Sequence, residues 1–210
     1  MDHTQGHKRL FISAGTLLAT VGLITAATFT DFANLNIGDG TSGNGIAGNN
    51  RFNIQVVGTD ANGVPQPGTW QEANSANGIE IAVPKADILT PGDTASVDIP
   101  YRNESPKLKA AITFNLQDKA GKTSDPDLLA ALRFTITNEA KNTKTTLVKA
   151  DATFQDLSAA LALGTFDPNE EGVLHVIINL PDQGTPLKNN ALNGKSAFTQ
   201  VHFDATSVQP

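Results

Sequence analysis

The sequence predicts an all-β protein with short helices: a jelly-roll-like antiparallel β-sandwich preceded by an N-terminal signal helix. Three observations carry that expectation. Beyond position 50 the apolar residues recur mostly every second residue rather than every 3.6. Turn signals such as Pro91-Gly-Asp93, Asn193-Gly194 and Pro65-Gln-Pro-Gly68 separate the alternating runs. The chain of 210 residues contains no Cys, so a secreted form must hold its sheets by packing alone.

In chain order, residues 1–9 are polar and end in Lys8-Arg9, and Leu10 to Ala27 follow without a charge. A cationic start, an apolar stretch and small residues at its end make a secretory signal, residues 1–27. Thr25 and Ala27 are the small −3 and −1 residues of a cut between Ala27 and Thr28, and a cut one residue earlier fits nearly as well. The competing reading is a retained membrane helix, for which Thr16, Thr20, Gly22 and Thr25 make a mediocre span. Cleavage removes Asp2, Lys8 and Arg9, which leaves the mature chain one unit more acidic than the full chain's −6. Export without Cys suits a bacterial exterior better than a eukaryotic one.

Residues 28–37 carry four large apolar side chains, Phe29, Phe32, Leu35 and Ile37. Residues 38–50 hold five Gly in 13 positions, a composition that builds no packed element and reads as a tether. Residues 28–49 are thus a candidate donor strand with its tether, and an apolar strand so placed needs a docking site. The sandwich domain is residues 50–210, with no linker dividing it and no internal repeat.

Within that domain, Phe52-Asn-Ile54-Gln-Val56, Ile79-Glu-Ile81-Ala-Val83 and Ala95-Ser-Val97-Asp-Ile99-Pro-Tyr101 alternate as strands. Ala110 to Leu116, Leu132 to Thr137, Leu174 to Leu180 and Phe198 to Ala205 repeat the pattern. One buried face per strand implies two packed antiparallel sheets. Two helices are expected between strands. Residues 124–131 have a capping residue and Pro126 in the first turn, and residues 156–163 end at Gly164, where a C-terminal cap belongs.

Composition excludes several functions. The chain has 21 acidic against 15 basic residues, whereas a nucleic-acid binder presents a basic face to phosphate. Gly43-Asn-Gly45-Ile-Ala-Gly48 spells a dinucleotide fingerprint but lacks the strand before it and the helix after it. His175 and His202, the two His of the mature chain, each sit in an expected strand and read as solvated surface residues, and no His-Glu-x-x-His exists. No Gly-x-Ser-x-Gly elbow is present. The acidic run Asp167-Pro-Asn-Glu-Glu171 is a calcium candidate without a spaced ligand ladder, so a solvated turn is the preferred reading. Asn103-Glu-Ser105 is a glycosylation triplet that reads as coincidence in a bacterial product. Trp70, in an expected loop, caps the core or meets a partner, the core being favoured. No constellation reads as catalytic, and no cofactor or metal is expected.

The order of motifs resembles the TasA/camelysin family of secreted, fibre-forming biofilm matrix proteins. The signal end Thr25-Ala-Ala-Thr-Phe-Thr-Asp31 is similar to that family's cleavage region. Leu89-Thr-Pro-Gly-Asp93 with Tyr101-Arg-Asn103 follows, and then residues 124–134, Ala152-Thr-Phe-Gln-Asp-Leu157 and Phe203-Asp-Ala-Thr206. The match covers most of residues 20–210, while the 38–50 tether and the Pro/Asn-rich residues 60–77 depart from it.

The resemblance implies a jelly roll with added helices and processing by a SipW-type signal peptidase. It further implies a structural, non-enzymatic subunit of an extracellular biofilm fibre or pilus-like filament. Subunits join when the mature N-terminal segment adds as a strand to a neighbour, a head-to-tail contact that does not close. Phe29, Phe32, Leu35 and Ile37 are then the candidate anchors, and Phe32 breaks strict alternation with the other three. The partners implied are further copies of the chain and an accessory matrix or anchor protein. A monomeric adhesin or carbohydrate-binding module is the alternative, since sandwiches host many binding functions. Camelysin-like relatives carry a metallopeptidase label that the missing zinc motif here does not support. No Leu-Pro-x-Thr-Gly wall-sorting signal is found, so wall attachment by that route is not expected.

Overall fold

The strand pattern folds as two packed antiparallel sheets in a computed structural model that describes residues 52–140 and 145–208. Its strands are β1 (Ile54–Thr59), β2 (Pro65–Gln71), β3 (Thr94–Asn103), β4 (Lys109–Asp118) and β5 (Arg133–Ala140). They continue as β6 (Thr146–Ala152), β7 (Leu161–Phe166), β8 (Glu171–Asn179) and β9 (Thr199–Val208). Two short helices, α1 (Pro126–Ala131) and α2 (Pro186–Asn190), join them. The larger sheet runs β2-β1-β3-β8-β5-β6 and the smaller runs β7-β4-β9. From β3 to β5, and again from β7 to β9, the chain passes repeatedly between sheets, so the all-β sandwich is jelly-roll-like.

Alternation explains the core. Ile99 and Tyr101 of β3, Leu174 and Val176 of β8 and Phe134 and Ile136 of β5 face inward from the larger sheet. Ala110, Ile112, Phe114 and Leu116 of β4 meet them from the smaller one. Each fully buried large side chain contributes about 1.5–3 kcal/mol of transfer free energy. Tyr101 is the polar exception: its buried hydroxyl donates to Asn138 Oδ1 at 2.7 Å, and Asn138 Nδ2 donates to the Leu163 carbonyl at 3.1 Å. That pair joins β3, β5 and β7 across the core, and burial pushes the Tyr101 phenol well up. Gly172 leaves room for this ring, since a Cβ there would meet Tyr101 Oη at 2.8 Å.

Helix α1 forms where expected. Asp125 caps it by accepting from the Asp127 and Leu128 N–H groups, and Pro126 supplies the pre-set first position. The second expected helix, residues 156–163, is absent. A 3-10 turn at Gln155–Leu157 is followed directly by β7, whose Leu161, Leu163 and Phe166 pack against the core. The free edge of β4 offered hydrogen bonds that outweighed local helix propensity. Gly164, expected as a helix cap, instead sits at φ 126 beside the register shift between β4 and β7.

Three further expectations are corrected. Residues 65–68, read as a turn, begin β2, an edge strand in which Pro is tolerated, with Pro67, Gly68 and Thr69 looping out of register. Trp70 therefore lies on a strand, outside the core cluster, with the Arg102 guanidinium 4.7 Å over its ring. Residues 79–83, read as a strand, form no regular element and join neither sheet. The largely exposed strand β6 and the short helix α2 carry no strong period and went unread.

Three aspartates tie the loops. Asp93 accepts from the hydroxyl and N–H of Thr90, Asp156 from the N–H and hydroxyl of Thr153, and Asp182 from Gly184 N–H and Asn189 Nδ2. These bonds hold all three carboxyls below the ordinary Asp value. A depressed acid contributes its stability above the unfolded pKa and loses it as pH falls through the folded one. The thermal midpoint should therefore drop below about pH 4. The triple variant Asp93→Asn, Asp156→Asn, Asp182→Asn should flatten that acid limb in a pH series of melts, and an unchanged limb would refute the assignment.

Candidate functional site

The smaller sheet has three strands against six, and the sandwich is left open beside β9. Strand β9 pairs with β4 along its whole length and, among the described strands, has no partner on its other edge. Next to that edge lies a groove of about 680 Å³. Ile54 and Val56 of β1, Val97 and Ile99 of β3 and Val201 and Phe203 of β9 are among its apolar walls. Gln117, Lys119, Gln200 and His202 give the rim its polar groups. The groove follows from topology: β1 pairs with β3 only at Tyr101, Arg102 and Asn103, so the inward faces of β3 and β1 extend past the last strand of the opposite sheet.

Residues 79–83 cross this opening. Ile79, Ile81 and Val83 line the groove, as the alternation of the sequence requires. Over residues 79–82 the main chain makes one described hydrogen bond, from Ala82 N–H to the Gly63 carbonyl at 2.8 Å. The strap is otherwise clasped by side chains of the smaller sheet's end. Lys119 pairs with Glu80, Gln200 Nε2 donates to the Ala76 carbonyl at 3.4 Å, and Gln117 Nε2 donates to Gln200 Oε1 at 2.7 Å.

The residues singled out from sequence are distributed as follows. Ala27, Thr28, Phe29, Phe32, Leu35, Ile37 and the Gly43–Gly48 motif lie outside the described residues. His175 and His202 are on strands, as read, but neither stands alone. His175 lies between Asp98, 2.7 Å from Nδ1, and Glu139, 3.6 Å from Nε2. His202 is 3.3 Å from Asp204. The two histidines belong to different sheets, and no group of three His, Cys, Asp or Glu that could hold a metal is found among the described residues. Residues 167–171 form a turn whose carboxylates serve their own loop, with Glu170 accepting from Asp167 N–H and Asp167 paired to Lys109 at 2.8 Å.

Asn103 of the glycosylation triplet is fully buried, which closes it to modification and gives it a structural part. Sequence reading missed the groove and the strap. The signal that could have found the strap is the same alternation at residues 79–83, read there as an ordinary strand.

The sequence matches no model of a known protein family, and none of the curated proteins matches it.

Proposed function

We propose that the chain is a secreted structural subunit that polymerises into extracellular fibres. Residues 28–37 of one copy add as a strand to the open groove of the next. The observation that supports this most directly is the edge of β9, which has no partner among the described strands, beside an apolar groove. Strand addition satisfies such an edge with main-chain hydrogen bonds, while alternate side chains fill the pocket.

The occupant is chosen for two reasons. Residues 28–37 are a strand-length segment of this chain with four large apolar side chains. Residues 38–51 span at most about 50 Å when extended, and they join the sandwich just before Ile54, which lines the groove. The segment can therefore reach a neighbouring copy. Burying three large apolar side chains supplies roughly 5–9 kcal/mol before ordering costs. Donation from copy to copy is head-to-tail and does not close, so it grows filaments.

The resemblance to the TasA/camelysin family supports the same reading. So does the signal-like segment ending at Ala27, which directs the mature chain outside a bacterial cell through a SipW-type peptidase. An accessory anchor protein would then join the fibre to its surface. The carbohydrate-binding alternative wants an exposed aromatic platform. Here Trp70 is covered by Arg102 and Tyr101 is buried.

The test compares the chain starting at Thr28 with one starting at Asn50 by negative-stain microscopy. Filaments from the first and monomers from the second are expected. Monomers from both would favour a binding module or a segment folded back on its own sandwich. Filaments from both would remove residues 28–37 as the connector.

A further inference from the structure

The strap at residues 79–83 has the pattern of a strand without a ladder, and clefts flank it on two sides. One is the groove beside β9. The other, about 540 Å³, separates Ala82, Val83 and Pro84 from Ser96, Val97 and Asp98 of β3. On that side β3 has no partner among the described strands from Thr94 to Pro100, because β1 reaches only Tyr101, Arg102 and Asn103. Two backbone edges that could form an antiparallel ladder thus face each other across a gap, joined by residues 84–93.

The ends of the strap are built for turning. Gly78 has φ 65, and Lys85 holds φ 66, a left-handed conformation uncommon for a residue with a side chain. The strap itself is held at its edge by the Lys119–Glu80 pair, with Glu80 solvent-exposed, while Gln200, backed by Gln117, holds the turn before it at the Ala76 carbonyl. Exposed polar pairs of this kind contribute little and exchange readily with water.

We propose that residues 79–83 are a two-position gate on the groove, a step that rests on the donor-strand reading above. In the closed position the strap leans over the groove and its apolar side chains shield the floor. In the open position it pairs as a strand along the free edge of β3, closing the smaller cleft and clearing the groove for the incoming segment. The gate keeps an apolar groove and a free edge from capturing unrelated chains before assembly. It also makes docking cooperative, since the strap gains a ladder only when its side chains leave the groove.

The absence of Cys makes the test clean. Gly78, at the start of the strap, is in contact with Gln200 of β9, so Gly78→Cys with Gln200→Cys is the pair chosen to tie the strap to β9, its bond being verified by loss of free thiol before assembly is followed. Assembly of the chain starting at Thr28 is followed by light scattering. Oxidised double variant should elongate at least tenfold more slowly than the same protein reduced, and thiol should restore the rate. Should the double variant misfold, Lys119→Met with Glu80→Gln decides: releasing the clasp should shorten the lag several-fold. Hydrogen exchange reads the open state, with amides of residues 79–83 and the outward amides of 94–99 gaining at least tenfold protection in filaments.

Normal filaments at equal rates from the locked, unlocked and declasped proteins would overturn the gate and leave the donor-strand reading standing. No filaments from the unmodified chain would overturn both.

Discussion

Replacing Asn103 with alanine is expected to lower the unfolding free energy by about 4 kcal/mol or more. Domains are stable by only about 5–15 kcal/mol, so the variant would be close to unfolded at ambient temperature. The amide is fully buried at the end of β3. Its Nδ2 lies 2.8 Å from the Leu108 carbonyl, 3.2 Å from that of Phe166 and 3.1 Å from that of Asp167, while Oδ1 accepts from Ser105 N–H at 3.1 Å. One side chain thereby fastens the β3–β4 connection to the turn between β7 and β8. Alanine removes the side-chain partner of the Leu108 and Phe166 carbonyls and of the Ser105 N–H, at about 1–3 kcal/mol for each group left unsatisfied, and adds a void, while the Asp167 carbonyl still accepts from Glu170 N–H.

Asn103→Asp provides the electrostatic control. A carboxylate of the same shape would face three carbonyl oxygens, so the folded state would hold it protonated and raise its pKa. An acid raised in the folded state destabilises increasingly as pH climbs above its unfolded value of about 4. The gap in thermal midpoint between this variant and the parent should therefore be wide at neutral pH and narrow on acidification. A loss under 1 kcal/mol for the alanine variant in denaturant melts would remove Asn103 as the fastening.

The strands that were legible in the sequence are those with one face in the core. Residues 95–101, 110–116 and 174–180 alternate because every second side chain is buried, and they became β3, β4 and β8. The failures have separate physical causes. At residues 156–163 the local composition favours helix, but a sheet edge needed a strand, and propensity lost to packing. At residues 65–71 two Pro argued against a strand, yet an edge strand leaves some N–H groups unused. β6 has Val148 and Ala152 in contact with the core while Leu147 is exposed, so its apolar residues do not mark one buried face and produce no period.

The site divides in the same way. Residues 28–37 stood out because four large apolar side chains sit beside a glycine-rich tether. The groove could not be read, because it is a gap among residues far apart in sequence: 54–56, 79–83, 97–99 and 199–203. No local pattern encodes a missing strand. Residues 79–83 had a strand's alternation, but alternation reports which face is buried and says nothing about whether an edge is available to pair.

The largest effect on assembly is expected from Leu35→Ser combined with Ile37→Ser. In a docked strand, residues of one parity point the same way, so Leu35 and Ile37 face the groove together with Phe29 and Ala33, with Asp31 on the same face, and Phe32 faces outward. Losing two buried aliphatic side chains forfeits about 3–6 kcal/mol, which raises the critical concentration for filament growth by roughly 10²–10⁴. Phe32→Ser, on the other parity, should change it by less than about tenfold. The thermal midpoint of the monomer is the necessary control. Among the described residues the core cluster runs from Phe52 to Ala205, so the sandwich should melt unchanged in both variants. Pelleting assays across a concentration series separate the outcomes. A larger effect from Phe32→Ser than from the pair would invert the facing of the donor strand while keeping strand donation. Equal and negligible effects from both would mean that side chains of residues 28–37 do not fill the groove, and strand donation would fall with them.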